Sequence, residues 1–351
     1  MKKRIVSALL AVCVVVALIP GCGKKKEIVD TLTVFNYGEY MDPAVLEQFT
    51  DETGIEVKYE EALTPEEMYT KYKSGAIEYD LLCSTDYMIQ RLIQEGEFQK
   101  IDISAMENSN NIGEKYWNFS EAFDPGNQYT VPYFWGTLGI LYDTTKVDEP
   151  IDSWDALFNG EYSGEIVMQN SMRDTFMVAL KYLGYSLNTN DINEIQAAKD
   201  LLQKQKPDVQ AYLVDEARDE VVAGNATMAV VYSGEAYLGH EYNEDLAYVV
   251  PKEGSNVWID SWGVTKYCDN MDAAQKFLDF LCREDIAMKN FEYIYYSTPN
   301  EAVIENLSDE EKADESLVPK DTATENCEVC LQTDETATKL MNDLWKELKA
   351  E

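Results

Sequence analysis

The 351-residue chain carries 29 basic and 65 acidic residues, a formal net charge of -36, with 45% hydrophobic residues. That length exceeds what a single hydrophobic core usually organises, so two lobes are expected, and the hydrophobic share is enough to fold them. The basic stripe that nucleic acid requires is missing, which excludes that class of partner, and most of the carboxylates belong on the solvated surface.

The chain opens with basic Met1-Lys2-Lys3-Arg4, followed by a nearly all-apolar run from Ile5 to Ile19 that ends at Pro20-Gly21-Cys22. The run is shorter than the ~20 residues of a spanning helix, so residues 1–21 read as an export signal; the alternative is a retained signal anchor. Gly21 before Cys22 resembles a bacterial lipoprotein cleavage site, with Pro20 a departure from the usual pattern. Cleavage there makes Cys22 the lipid-bearing residue that anchors the protein outside the cell membrane, and residues 22–30, with Lys24–Lys26, its tether. Of the seven cysteines, Cys13 leaves with the signal, and Cys83, Cys268 and Cys282 lie among apolar neighbours as core residues. Cys327 and Cys330 form a single C-x-x-C with no second pair to complete a zinc site; export permits their oxidation, and a structural or incidental role is favoured over catalysis.

From residue 31 strands and helices alternate. Leu32–Phe35 reads as a strand and Pro43–Glu52 as a helix with Asp42 as N-cap and Gly54 past its end. Ile55, Val57 and Tyr59 alternate as a second strand, and Thr64-Pro65-Glu66-Glu67 is a capping box opening a helix to about Ser74. Tyr79–Cys83 is a buried strand, and Thr85 to Glu95 a helix stopped by Gly96. This β-α-β-α-β-α order is that of a parallel sheet covered by helices. A second series follows: strand Glu165–Met168, helix Met172–Tyr182, helix Asp191–Lys206 ended by Pro207, strands Ala226–Tyr232, Leu246–Val250 and Trp258–Val264, and helices Ala273–Cys282 and Ala337–Lys349. The acidic segment Ser308–Glu315 reads as an exposed connection.

In open parallel sheets ligands bind beyond the carboxyl ends of strands, so the residues following each strand are the candidates. They are Asn36-Tyr37-Gly38-Glu39-Tyr40, Ser84-Thr85-Asp86-Tyr87, Gln169-Asn170-Ser171 with Arg173 and Asp174, Tyr232-Ser233-Gly234-Glu235, and Trp258 to Trp262. Gly38 is expected to let the chain turn sharply after the first strand. These segments supply aromatics, carboxylates and hydroxyls, and no lysine, histidine or cysteine. That set suits a cationic amine: carboxylates pair the charge that leaves water, and aromatic faces line the methylene stem and attract ammonium by ~0.5–2 kcal/mol each. An amino acid would also need a cation for its carboxylate, and Arg173, the sole basic residue here, could instead hold neighbouring carboxylates. Taken singly, Tyr232, Trp258 and Trp262 could be packing residues and Asp174 a complement to a helix dipole; carboxylates and aromatics recurring together at strand ends are what core packing does not predict.

The segments LTVFNYGEYMDPAVLEQFTDETGIEV, YDLLCSTDYMIQRLIQEGEFQKID, VPYFWGTLGILYD, WIDSWGV and STPNEAV closely resemble, in order, the spermidine/putrescine-binding proteins of bacterial ABC uptake systems. The resemblance implies a type II periplasmic-binding-protein fold, two α/β lobes joined by crossover strands, with residues 31–136 plus 261–302 in one lobe and 137–260 plus 303–351 in the other. It implies a polyamine ligand, permease subunits as partners, a monomer, and neither cofactor nor metal. Residue by residue, Tyr37 stands for a stacking tryptophan, Glu39 and Tyr40 match an acidic and a tyrosine position, and Ser84 matches a serine. Asp86 falls where tyrosine is common, and Asp174 matches an acidic residue that meets an amine. Tyr232 replaces a tryptophan, Trp258 and Asp260 match a central tryptophan and aspartate, and Tyr296 matches a tyrosine before TPN. Ser171 falls where some members have a second aspartate, and a C-terminal contact falls near Glu328 or Gln332.

Two other classes remain. An extracellular glycoside hydrolase would use a carboxylate pair such as Asp174 and Asp260, though the one histidine, His240, and the lack of a nucleophile motif speak against an enzyme. A ferric-ion-binding transport protein would use the adjacent Tyr295 and Tyr296.

Overall fold

The computed structural model describes residues 28–350, so residues 1–21, expected as an export signal, and Cys22, expected to carry lipid, lie outside the described residues. Ten strands, β1 (Asp30–Tyr37), β2 (Ile55–Ala62), β3 (Leu81–Thr85), β4 (Thr130–Asp143), β5 (Ile166–Gln169), β6 (Val209–Leu213), β7 (Met228–Tyr232), β8 (Leu246–Val249), β9 (Asn256–Val264) and β10 (Glu328–Val329), form one sheet in the order β2-β1-β3-β9-β4-β7-β5-β6. β10 pairs with β9, and β8 with β4.

The local signals fold as their chemistry dictates. Asp42 accepts the Ala44 N–H at 2.9 Å and starts the helix Pro43–Thr53, which Gly54 ends at φ 80°. Thr64 accepts the Glu67 N–H at 3.1 Å to open the helix Pro65–Ser74, and the Glu67 carboxylate reaches back to the Leu63 N–H at 2.9 Å. The helix Met172–Tyr182 has the expected bounds, and the helix Ile192–Gln205 begins after its cap Asp191. The segment after Leu307 is not a plain connection: Ser308 and Glu311 make a full capping box around the short helix Asp309–Ala313.

The sheet is mixed, which corrects the all-parallel expectation. β1–β2, β1–β3, β5–β6, β5–β7 and β9–β10 are parallel, but β9 and β4 run antiparallel to each other and to their other neighbours β3, β7 and β8. The third strand is Leu81–Thr85 rather than Tyr79–Cys83, because its antiparallel ladder with β9 continues through Ser84 and Thr85. β4 pairs with β9 over Thr130–Thr137 and with β7 over Leu138–Tyr142. Its packing changes at the same place. Val131 to Trp135 join the core around β1, β3 and β9, whereas Leu138, Ile140 and Tyr142 face one core and Leu141 a different one on the opposite side of β7. β4 and β9 therefore run through the middle of the sheet, with all residues of both strands buried.

β10 is held by a close approach. Gly254, at φ 88°, has no Cβ to meet the Asn326 carbonyl, so the segment entering β10 lies directly against it. Gly254→Ala is expected to destabilise the protein by about 2–4 kcal/mol, since it adds both backbone strain and a clash with main chain. Chemical denaturation measures this; an unchanged midpoint would contradict the packing described.

Candidate ligand cleft

The site is built where β1, β3 and β7 end and β9 passes between them. On β9, Trp258 and Asp260 share a face by the two-residue period of a strand. Both are nearly buried, at 9% and 7% exposure. The ladder sets Thr85 of β3 beside Asp260 and Gly136 of β4 beside Trp258. Gly136 is required there, since a Cβ would stand 2.5 Å from Trp258 Cζ2 and 2.6 Å from Ser233 Oγ.

The Tyr40 hydroxyl donates to Asp260 Oδ2 at 2.8 Å, and Thr85, whose hydroxyl donates to Asp86 Oδ1 at 3.4 Å, lies beside the carboxylate across the ladder. Tyr40 is fixed from behind, its carbonyl accepting from Asn36 Nδ2 at 3.1 Å and from the Tyr133 hydroxyl at 3.0 Å. Around Asp260 the rings meet edge to face: Tyr40 with Tyr37 at 5.8 Å and with Tyr296 at 6.5 Å, Trp258 with Tyr296 at 5.2 Å and with Tyr232 at 6.4 Å. Tyr37 and Ser84 share a hydroxyl–hydroxyl hydrogen bond of 3.0 Å. Tyr232, at the end of β7, donates to Asp174 at 2.7 Å, and Asp174 lies in the first turn of the helix Met172–Tyr182. Ser171 caps that helix, accepting the Asp174 N–H at 3.4 Å. Gly234 lets the helix Ser233–Tyr242 abut the Tyr296 ring, which a Cβ would approach to 2.5 Å.

Nine of the ten predicted side chains thus belong to one connected arrangement: Tyr37, Tyr40, Ser84, Asp86, Asp174, Tyr232, Trp258, Asp260 and Tyr296. Asp86 joins it through charge, acting on Asp260's side of the cleft and on Arg173. Glu39 stands apart. It is exposed, and it rather than Gly38 takes the left-handed conformation, at φ 54°, that turns the chain after β1. Gly38 and Glu39 form the turn together, Gly38 without a left-handed conformation.

Burial raises the Asp260 carboxyl to about 6, against the pull of Tyr40 and Thr85, and pushes Asp86 well above the carboxylate range. Glu235, in the first turn of the helix Ser233–Tyr242, is raised by burial to about 7 even though Arg218 pairs with it at 2.7 Å. Arg173 does not clamp the carboxylates. Its guanidinium donates to Cys330 Sγ at 2.9 Å, to the Leu331 carbonyl at 3.0 Å and to Thr333 Oγ1 at 3.3 Å, tying the segment after β10 to the cleft wall. Cys327 and Cys330 are both free thiols on either side of β10. The Glu328 carboxylate is occupied by Lys181 at 2.8 Å, and the Gln332 backbone N–H donates to Gln90 Oε1 at 2.8 Å. Sequence reasoning passed over Thr85, although it lay inside the right strand-end segment, and over Cys330, for which C-x-x-C spacing gave no hint.

The arrangement can surround an extended cation with carboxylates and ring faces. It does not gather iron ligands: Tyr295 turns away to stack on Tyr237, with centroids 6.1 Å apart, while Tyr296 faces Trp258. Among the described residues no group of three or more His, Cys, Asp or Glu is placed to hold a metal ion, and no helix is long and apolar enough to cross a membrane.

A family model described as bacterial extracellular solute-binding protein matches residues 44–319. The chain belongs to that family. It is 39% identical to the spermidine/putrescine-binding periplasmic protein of Salmonella typhimurium, over 83% of each chain, and 36% identical to that of Escherichia coli, over 92% of each. The crystal structure of the spermidine/putrescine ABC transporter substrate-binding protein PotD from Streptococcus pneumoniae superposes with a TM-score of 0.83 at 39% identity, over 92% of this chain and 99% of that one. The fold is thus the two-lobed one of periplasmic binding proteins, and these relatives are binding proteins of transporters, not enzymes.

Raised carboxyls make the empty protein sensitive to pH. The native state holds the Asp260 proton more tightly than the unfolded chain does, so stability is lost as pH rises from about 4 through about 6. Asp260→Asn is expected to become progressively more stabilising between pH 4 and 7.5, reaching roughly 3 kcal/mol at most. Urea unfolding at each pH measures this; a pH-independent difference between variant and wild type would contradict the burial of a strained carboxylate.

Proposed function

We propose that this protein captures linear polyamines, of the putrescine and spermidine type, and delivers them to the permease of an ABC importer. The observation that carries the reading is Asp260: a carboxylate at 7% exposure, held by Tyr40 and ringed by Trp258, Tyr40 and Tyr296, with the one nearby guanidinium engaged elsewhere. A buried carboxylate of this kind is completed by an ammonium, and the rings provide walls for the methylenes between ammonium groups. Asp260 pairs with one amine and Asp174 with another, while Tyr37, Tyr232 and Tyr296 line the stem and Ser84 fixes Tyr37. Glu39, at the exposed turn, contributes at the rim. The names of the relatives support the same ligand class and the same transport system.

Residues 31–136 with 261–302 and residues 137–260 with 303–351 act as two lobes that close on the ligand, and the closed form is what the permease meets. The protein works as a monomer held by lipid at Cys22 on the outer side of the cytoplasmic membrane.

Calorimetry of the purified protein with putrescine, cadaverine, spermidine and spermine tests the ligand. At least one is expected to bind, more weakly as pH falls below about 6 and Asp260 takes up a proton. Asp260→Ala is expected to weaken binding by well over tenfold, since loss of one partner of a buried charge pair costs ~2–5 kcal/mol. Absence of heat with all four amines would refute the proposal. For the anchor, Cys22→Ser is expected to move the protein from the membrane to the soluble fraction; retention would favour an uncleaved signal anchor.

A further inference from the structure

Asp86 begins the helix Asp86–Gln94 directly after β3 and is 1% exposed. Its Oδ1 accepts the Tyr87 N–H at 2.7 Å and the Thr85 hydroxyl at 3.4 Å. Its Oδ2 is buried and has no partner among the described residues. The two other carboxylates of the cleft each have a tyrosine hydroxyl, Tyr40 on Asp260 and Tyr232 on Asp174, but none reaches Asp86. Arg173 is the cation whose charge Asp86 feels, yet the guanidinium gives its hydrogen bonds to Cys330, Leu331 and Thr333. Asp260 repels Asp86 from across the β3–β9 ladder, where it pairs with Thr85, the residue before Asp86.

A packing role calls for an apolar side chain at this depth, and a neutral polar role for one with all its hydrogen bonds made. An aspartate with one oxygen left over does neither. A positively charged N–H donor at Oδ2 would complete it and favour its ionised form. Resting on the reading of the cleft as a polyamine site, we propose that Asp86 seats a third ammonium group, additional to those at Asp260 and Asp174, and so selects a linear triamine over a diamine. A diamine occupies two of the three carboxylates and leaves the third buried without a counter-charge. A triamine completes all three, and the difference is one charge-assisted hydrogen bond in a site withdrawn from water.

The test is Asp86→Asn, which keeps the shape and the oxygen that receives the Tyr87 N–H. Spermidine, putrescine and cadaverine are titrated into purified wild type and variant at pH 7.5. The variant is expected to lose about tenfold or more in spermidine affinity and no more than about threefold for either diamine. Equal losses for all three amines would place Asp86 at an ammonium common to every ligand and overturn the proposal, as would unchanged spermidine affinity. A wild type that binds none of the amines refutes the polyamine reading itself; a wild type that binds them, with a variant of unaltered selectivity, refutes only the role of Asp86. Thermal melting without ligand separates recognition from structure. Asp86→Asn is expected to melt higher than wild type, by more at pH 8 than at pH 5, because it removes a buried carboxylate with an oxygen unpaired. A lower melting point would make Asp86 a structural residue and overturn the proposal.

Discussion

The cleft depends on one electrostatic constraint: a carboxylate carried on a central strand cannot leave water without something to complete it. Asp260 lies on β9, a strand buried along its whole length, and receives the Tyr40 hydroxyl, with the polar Thr85 side chain beside it on β3. These do not offset the cost of burial, and the carboxyl stays raised to about 6. The buried carboxylate therefore carries a deficit that a positively charged donor would remove. Rings cannot relieve it by donating hydrogen bonds from their faces, but they exclude water and offer negative π-faces to a cation.

The rest of the fold holds that carboxylate still while allowing other parts of the cleft to come from elsewhere. β4 leaves β9 after Thr137 and pairs with β7 from Leu138, so Asp260 and Trp258 are fastened to the same ladder that leads to Tyr232. Asp174 comes from the start of the helix after β5, Tyr40 from the turn after β1, and Tyr296 from the residue after the left-handed Tyr295 at φ 62°. Gly136 and Gly234 keep the strand and helix close enough for Trp258 and Tyr296 to meet at 5.2 Å. Arg173 ties the chain after β10 onto the same helix through three hydrogen bonds, none of them to a carboxylate.

What could be read from the sequence was what neighbouring residues decide. Asp42, Thr64 and Gly54 announce helix ends because capping is local, and all three occupy those positions. β4 gave no such notice: its fourteen residues are all buried, so no alternation marks it, and Pro132 interrupts it. The antiparallel partners of β9 were equally hidden, since pairing across more than a hundred residues leaves no trace in spacing. In the cleft, strand-end position and composition brought out the carboxylates and rings, and the resemblance supplied Tyr296. The turn after β1 falls at Gly38 and Glu39 as its composition suggests, but the left-handed residue is Glu39 although glycine is the usual one. The partners of Arg173 lie about 157–160 residues away, beyond the reach of any local rule.

On the proposed reading, Asp260 is completed by a ligand ammonium inside a box of aromatic rings. The most direct measurement is a crystal structure of the protein grown with spermidine. An ammonium nitrogen within hydrogen-bonding distance of Asp260, with methylenes against Trp258 and Tyr40, is the predicted result. Spermidine bound away from β9, with Asp260 still held by Tyr40 alone, would contradict it.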